Sequence, residues 1–459
     1  MIKENLKEIK KNDPKVIRGW VMYDWANSVY QLTIASAVFP IFYNQATKAA
    51  FHGSTVTFFG HPAINTVLYS WAIAAAYLIV GLFSPIFSSI ADYTGRRKTF
   101  MKVFTFIGAI SCGLLYFFNG HNVEWGIIFF ALGTIGYGGS LVFYNSFLPV
   151  IADPEYHDSI SARGYSMGYL GGVILLVINL IIILFPAWFG ISDPQLPAKI
   201  SFLSVCVWWL GFAHLTFRRL PKYTLGHEKE GNPIFNGYRE LRKVYVQVKK
   251  SFELKIYLLA FFFLMMGILT VMFMAATYGE KQLGLKETVL IPVILVIQLV
   301  GMLGATLFSK LSARIGNIRA LMISIGIWIF ICLGVLLVTN AIGFVIVAFF
   351  VGLVMGGSQS LARSTFSKMI PETIDHTSFF SFYDVTEKFA TVAGTFSFGI
   401  IEALTGSMKY SVIAIIGFFI VGYLFLVVLR WRLIESYMRN SIDGAISRVR
   451  QRRNNGNKN

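Results

Sequence analysis

VLYSWAIAAAYLIVGLFSPIFSSI (67–90), ADYTGRRKT (91–99) and FMKVFTFIGAISCGLLYFF (100–118) follow one another without a break, and their order decides the fold. Each flanking run is about as long as an α-helix must be to cross a hydrocarbon core of about 30 Å at 1.5 Å per residue. The middle segment holds an acid, a glycine and three consecutive basic residues, which a lipid interior would reject. Two membrane-crossing helices joined by a tight, positively charged reversal satisfy both facts. Backbone groups inside a bilayer must pair within their own segment, which leaves few other arrangements.

The same alternation extends in both directions and yields twelve spans, at 19–42, 67–90, 100–118, 125–151, 164–185 and 200–217, then 256–276, 289–308, 320–338, 342–364, 379–404 and 411–433. An even number puts both ends of the chain on one side. Of the 40 Lys and Arg residues, 34 fall on that side, five (Lys48, Lys199, Lys281, Lys286 and Lys409) on the other, and Lys388 inside a span. Loops that stay in the cytoplasm retain basic residues, so both termini are expected to be cytoplasmic, in a cell (inner) membrane. The chain divides into a cytoplasmic N-terminal segment (1–18), a six-helix bundle (19–217), a cytoplasmic linker (218–255), a second six-helix bundle (256–433) and a basic cytoplasmic tail (434–459). Within the linker, Tyr238 to Lys250 reads either as a short helix lying on the anionic leaflet or as a solubilising tether. The fold class expected is an all-α integral membrane protein of two pseudo-symmetric halves.

Composition agrees. Of 459 residues 55% are hydrophobic and only 14% charged, with a mean hydropathy of +0.63, whereas soluble domains are about a quarter charged. The net charge of +17 does not mark a nucleic-acid binder, because its basic clusters flank membrane crossings instead of lining one continuous face. Cys112, Cys206 and Cys332 each sit in an apolar run, without the spacing of a disulfide framework or a metal knuckle. Segment 1–18 has no short apolar stretch of the kind a removable signal peptide carries.

Landmarks recur between the halves. Gly138-Gly139-Ser140 precedes Phe147, Leu148 and Pro149, as Gly356-Gly357-Ser358 precedes Phe366, Ile370 and Pro371, and the reversal at Gly95 has a counterpart at Gly316. Asp92, Gly95, Arg96, Arg97 and Lys98 together resemble the signature loop of the major facilitator superfamily. Gly95 permits the tight turn, Asp92 can accept N–H groups at a neighbouring helix start, and the basic residues hold the loop inside. Ser88 and Tyr93 depart from that signature, and the second copy, Ala313 to Arg319, has no Asp. The segments Tyr23-Asp24-Trp25-Ala26-Asn27-Ser28, Ser161-Ala162-Arg163-Gly164 and Gly168-Tyr169-Leu170-Gly171-Gly172 narrow the resemblance to the vacuole-effluxer-like branch. It implies the major facilitator fold, alternating access between two halves, and export of amino acids, with Asp92, Gly95, Arg96 and Arg97 as a gating loop.

Polar residues inside the spans mark the candidate site. Asp24, Asn27, Ser28 and Gln31 repeat at i, i+3, i+4 and i+7 and share one helical face. An Asp at a helix centre costs about 2.5–3.5 kcal/mol on insertion scales, so this face needs either an interhelical partner, Arg363 or Arg163, or a wet cavity. The eleventh span carries Asp384, Glu387 and Lys388. Asp384 and Lys388 can pair at i,i+4 with no transport role. Alternatively, Lys388 binds an anionic group of the substrate while Glu387 or Asp24 exchanges a proton. Tyr144, Asn145, Gln359 and Arg363 are candidate lining residues from the fourth and tenth spans.

Expected partners are a small-molecule substrate, membrane lipids and a coupling ion such as the proton, with the chain acting as a monomer and without cofactor, metal or nucleic acid. No H-E-x-x-H, G-x-S-x-G, P-loop or paired C-x-x-C stands in the sequence, which disfavours a membrane enzyme. An exporter of lipids or lysolipids would carry much the same pattern. So would a sensor that moves no solute.

Overall fold

The computed structural model describes residues 10–222, 233–285, 287–373, 375–405 and 407–456. Residues 1–9, residues 223–232 of the linker and, from the orientation count, Lys3, Lys7, Lys229, Lys286 and Lys458 lie outside the described residues. Ten described helices are long and apolar enough to cross a membrane. The first and eleventh expected spans are helical too, and they are the two that carry the Asp24 stripe and the Asp384–Lys388 group.

The chain begins with α1 (Pro14–Val29), where Asp13 Oδ1 accepts the Lys15 N–H at 2.8 Å and Pro14 supplies a preset first turn. A wider π-helical stretch, Tyr30–Val38, leads into α2 (Phe39–Phe51). Pro40 cannot donate to the turn before it, and Ser36 Oγ donates to the Gln31 carbonyl at 2.8 Å within the widened segment. A hairpin of β1 (Thr55–Phe58) and β2 (His61–Ile64) follows, turning on Phe59 and Gly60 with φ of 45° and 81°. The two positive φ values suit the right-handed twist of paired strands. The span pattern is silent about this hairpin because its strands are four residues each.

The first half continues with α3 (Asn65–Thr94), α4 (Arg97–Leu114), α5 (Val123–Ser146), the short α6 (Leu148–Ile151), α7 (His157–Leu184) and α8 (Leu196–Arg219). The linker forms α9 (Pro233–Lys250), and the second half comprises α10 (Phe252–Leu283), α11 (Glu287–Ile315), α12 (Asn317–Leu337), α13 (Ala341–Met369), α14 (His376–Thr405) and α15 (Met408–Gly456). Several helices overrun their expected spans. α7 starts at His157, α13 ends at Met369 and α15 runs for 49 residues, through most of the segment expected as a tail. Hydropathy reads only the part of a helix in contact with hydrocarbon, whereas backbone hydrogen bonding carries helices on into water.

Two apolar cores form, one from residues between Trp20 and Leu220, the other from residues between Val244 and Leu429. Large apolar side chains also cover the outside, Leu337 at 82% and Leu404 at 81% exposure among them, as a lipid-facing surface requires. α9 packs on the loop end of α3. Gly237, Val244 and Val248 are buried, Asn236 Nδ2 donates to the Tyr93 hydroxyl at 2.7 Å, and Phe235, Tyr238 and Tyr245 face outward.

The repeat is visible in the backbone, since Gly95 and Gly316 both turn through positive φ, 65° and 86°. The repeated Gly-Gly-Ser triplets serve close packing in both halves but against different neighbours. A Cβ on Gly139 would overlap the Phe104 ring and one on Gly357 the Phe308 ring, while Gly356 sits against the Gly301 carbonyl.

Candidate functional site

Between the halves lies a cavity of about 1240 Å³, its open mouth included. The whole Asp24, Asn27, Ser28 and Gln31 stripe, which runs from α1 into the π-helical stretch, faces it, together with Asn145 of α5, Gln359 and Arg363 of α13, and Asp384, Glu387 and Lys388 of α14. Tyr144 stands behind the wall. It is fully buried and its hydroxyl donates to Asp24 Oδ2 at 2.7 Å. The spacing of Asp24, Asn27, Ser28 and Gln31 therefore marks one face, and that face meets both the cavity and an interhelical partner.

That partner is Arg363. Its Nη1 and Nη2 each donate to Asp24 Oδ2 at 3.2 Å, its Nε donates to Ser161 Oγ at 2.9 Å, and Nη2 also donates to the Ser161 carbonyl at 2.9 Å. The guanidinium lies 4.8 Å from the Trp20 ring centroid and 4.3 Å from that of Tyr165. A side chain of the second half is thus seated in a pocket built by α1, α5 and α7 of the first, and it forms the cavity floor. Leaving either charge of such a buried pair alone costs about 3–5 kcal/mol. Small residues allow the approach, since a Cβ on Gly164 would overlap Asp24 Oδ2 and one on Gly168 the Ser28 hydroxyl.

Lys388 holds the opposite wall. Its Nζ is 3.3 Å from Asp384 Oδ1 and 3.2 Å from Glu387 Oε1, and 5.3 Å from the Tyr77 ring centroid. The i,i+4 pairing expected from sequence is therefore present, and Glu387 joins it. Asp384 and Lys388 are nearly closed off, with side-chain exposures of 6% and 7%, while Glu387 keeps 27%.

Below the floor, on the side where α1 begins, two carboxylates join the halves. Asp92, at the end of α3, accepts the Ser378 N–H at 2.7 Å, the Ser378 hydroxyl at 2.8 Å and the Thr377 N–H at 3.3 Å, all at the start of α14. Arg97 Nε donates to Asp92 Oδ1 at 2.6 Å, fixing the acid from its own half. Gly95 makes the turn, and Arg96 is exposed outside this network.

The second carboxylate was not among the expected residues. Asp158, at the start of α7, accepts Ser312 Oγ at 2.8 Å, Asn317 Nδ2 at 2.7 Å and Lys368 Nζ at 2.7 Å, from α11, α12 and α13. The loop around Gly316 has no acid because the acid stands on the helix it faces, so the two contacts are pseudo-symmetric in place and opposite in polarity. Asp158 reads in sequence like any acid in a first helical turn, favourable to the helix dipole and otherwise unremarked. Ser161 and Tyr169 stand in the segments that carry the resemblance but without a site role, and the cavity tyrosines Tyr77, Tyr137, Tyr165 and Tyr383 each look like packing when read alone.

Among the described residues no group of His, Cys, Asp and Glu is placed to hold a metal ion. The vacuole effluxer Atg22-like family model matches residues 12–432. An uncharacterized MFS-type transporter of Bacillus subtilis, YxiO, is 30% identical over 91% of this chain and 95% of its own length. Autophagy-related protein 22-1 of Penicillium rubens is 22% identical over 88% of this chain and 87% of its own length. Among solved structures, the major facilitator superfamily transporter FucP in the outward conformation superposes with a TM-score of 0.69 at 14% identity, covering 91% of this chain and 99% of that one. The human organic anion transporter MFSD10 gives 0.67 at 12% identity, covering 91% and 100%. The buried ion pairs across the halves and these matches lead to one conclusion: the chain belongs to the vacuole effluxer Atg22-like family and is a membrane transporter of the major facilitator superfamily.

Proposed function

We propose that this protein is a secondary active exporter of amino acids, working by alternating access and driven by a proton gradient. The central cavity carries the reading. It is lined by both halves and combines two cationic side chains, three carboxylates and several amides, a set suited to a small zwitterion. An exporter of lipids or lysolipids would want a predominantly apolar chamber, so the charged lining counts against that variant.

In this account the conformation described is sealed toward the cytoplasm by Asp24–Arg363, Asp92–Ser378 and Asp158–Lys368. The halves 19–217 and 256–433 rock about the cavity while the 218–255 linker spans them, and the chain acts as a monomer in the cell membrane with both termini cytoplasmic. The excess of Lys and Arg on the terminal side supports that orientation. The proton is exchanged at the Asp384, Glu387 and Lys388 group, since Asp24 is already held by Arg363 and Tyr144.

The test is net transport of radiolabelled amino acids across the membrane of proteoliposomes with an imposed pH gradient. Accumulation of at least one amino acid that collapses on adding a protonophore supports the reading. Flux that ignores the gradient removes the coupling, and no amino-acid flux in either orientation removes the substrate class.

A further inference from the structure

We infer that Glu387 is the residue that receives the positively charged ammonium group of the transported solute, inside a chamber walled by tyrosine rings. The inference deepens the amino-acid reading and rests on it for the identity of the solute, but not for the charge that the site selects.

Among the described residues, the charged ones facing the cavity are Asp24, Asp384 and Glu387 against Arg363 and Lys388, so this lining is one positive charge short. The deficit falls at a definite place. Asp24 is neutralised on the floor by Arg363 at 3.2 Å, and Asp384 meets Lys388 at 3.3 Å through Oδ1 while its Oδ2 is buried, so both acids are closed off from an entering solute. Glu387 must share that same lysine, at 3.2 Å, and keeps 27% of its side chain open. A half-satisfied carboxylate in a medium of reduced dielectric draws a cation more strongly than the same group in water.

Two further observations point to a ligand with an ammonium. Tyr77, Tyr137, Tyr165, Tyr169 and Tyr383 all line the same space, and aromatic faces attract cations. Lys388 already uses Tyr77 in this way, its Nζ 5.3 Å from the ring centroid. Asn27 also faces the cavity, is 1% exposed, and its Nδ2 is buried without a hydrogen-bond partner. It offers a donor to the carboxylate end of a zwitterion whose ammonium sits at Glu387. A solute with a carboxylate and no ammonium would enter a chamber of its own sign.

The experiment compares matched skeletons on the purified full-length protein: L-leucine, its decarboxylated amine 3-methylbutylamine and its deaminated acid 4-methylpentanoate, with the corresponding sets for phenylalanine and tyrosine. Binding is followed by calorimetry. The amine is expected to bind within about tenfold of the amino acid and the acid at least a hundredfold more weakly. Glu387→Gln should weaken amino acid and amine together by tenfold or more, and Glu387→Asp should recover part of the loss at an unchanged unfolding temperature. The inference is overturned if the acid binds as well as the amine, or if Glu387→Gln leaves binding untouched. Amines that bind where amino acids do not would remove the substrate assignment and leave the ammonium site standing.

Discussion

Asp158 of the first half and Lys368 of the second stand 2.7 Å apart, and the same carboxylate oxygen accepts the Ser312 hydroxyl. The acid that the loop at Gly316 lacks has moved across the interface to α7. Asp158→Asn should therefore lower turnover severalfold while changing substrate affinity little, and Asp158→Lys with Lys368→Asp should restore part of the rate. Initial rates against substrate concentration, measured for the two singles and the double, check this. Independent effects that simply add in the double variant would show that the two residues do not work as a pair.

Asp92 caps α14 through two backbone N–H groups and a hydroxyl. A lost helix cap costs about 0.5–2 kcal/mol, here concentrated in the conformation closed on the terminal side. Asp92→Asn should slow transport more than it weakens binding. It should also raise alkylation of a cysteine introduced at Ser146, whose hydroxyl accepts from Thr377 at 3.0 Å in the closed arrangement. Equal alkylation in both backgrounds would remove the latch role.

For the floor, Asp24→Asn should leave the protein inserted in the membrane and abolish gradient-driven transport. Arg363→Lys should fail to replace arginine, because an ammonium cannot reproduce the fork onto Asp24, Ser161 Oγ and the Ser161 carbonyl. The double variant Asp24→Asn with Arg363→Ala should be no worse than Arg363→Ala alone. Transport by Asp24→Asn that matches the parent protein at several pH values would exclude any part for this pair.

The glycines of α11 and α13 predict a purely structural effect. Gly356→Val would press against the Gly301 carbonyl, an overpacking penalty of about 1–3 kcal/mol or more where backbone cannot yield. A fall of several degrees in the unfolding temperature is expected. The same change at Gly417, which has open space around its Cβ position, should be tolerated, and the pair of melting curves makes the comparison.

The spans were legible because a bilayer imposes one coarse demand, about twenty apolar residues, that each helix states locally. The polar face of the first span was legible because Asp24, Asn27 and Gln31 keep helical spacing. The join between Asp24 and Arg363 could be offered only as one of two pairings, since 339 residues separate them and Arg163 was an equal candidate. Asp158 could not be found at all, because its meaning lies in Ser312, Asn317 and Lys368 on three other helices. Tyr144 was expected to line the cavity, yet it serves from behind, because a helix pattern tells which residues share a face and not how far that face is from the void.

The backbone contact between α11 and α13 has a mechanical consequence. Gly304 lies against the Leu353 carbonyl, Gly352 against that of Ile297 and Gly356 against that of Gly301, so no layer of side chains separates the two helices and neither can slide along the other. Arg363 and Lys368 ride on α13 and Ser312 on α11, which makes the plug of the chamber and the Asp158 clasp parts of one welded strut. A tilt of the strut that freed the arginine would therefore also strip the lysine and the serine from Asp158, leaving the Asp92 contact with α14 to be released separately.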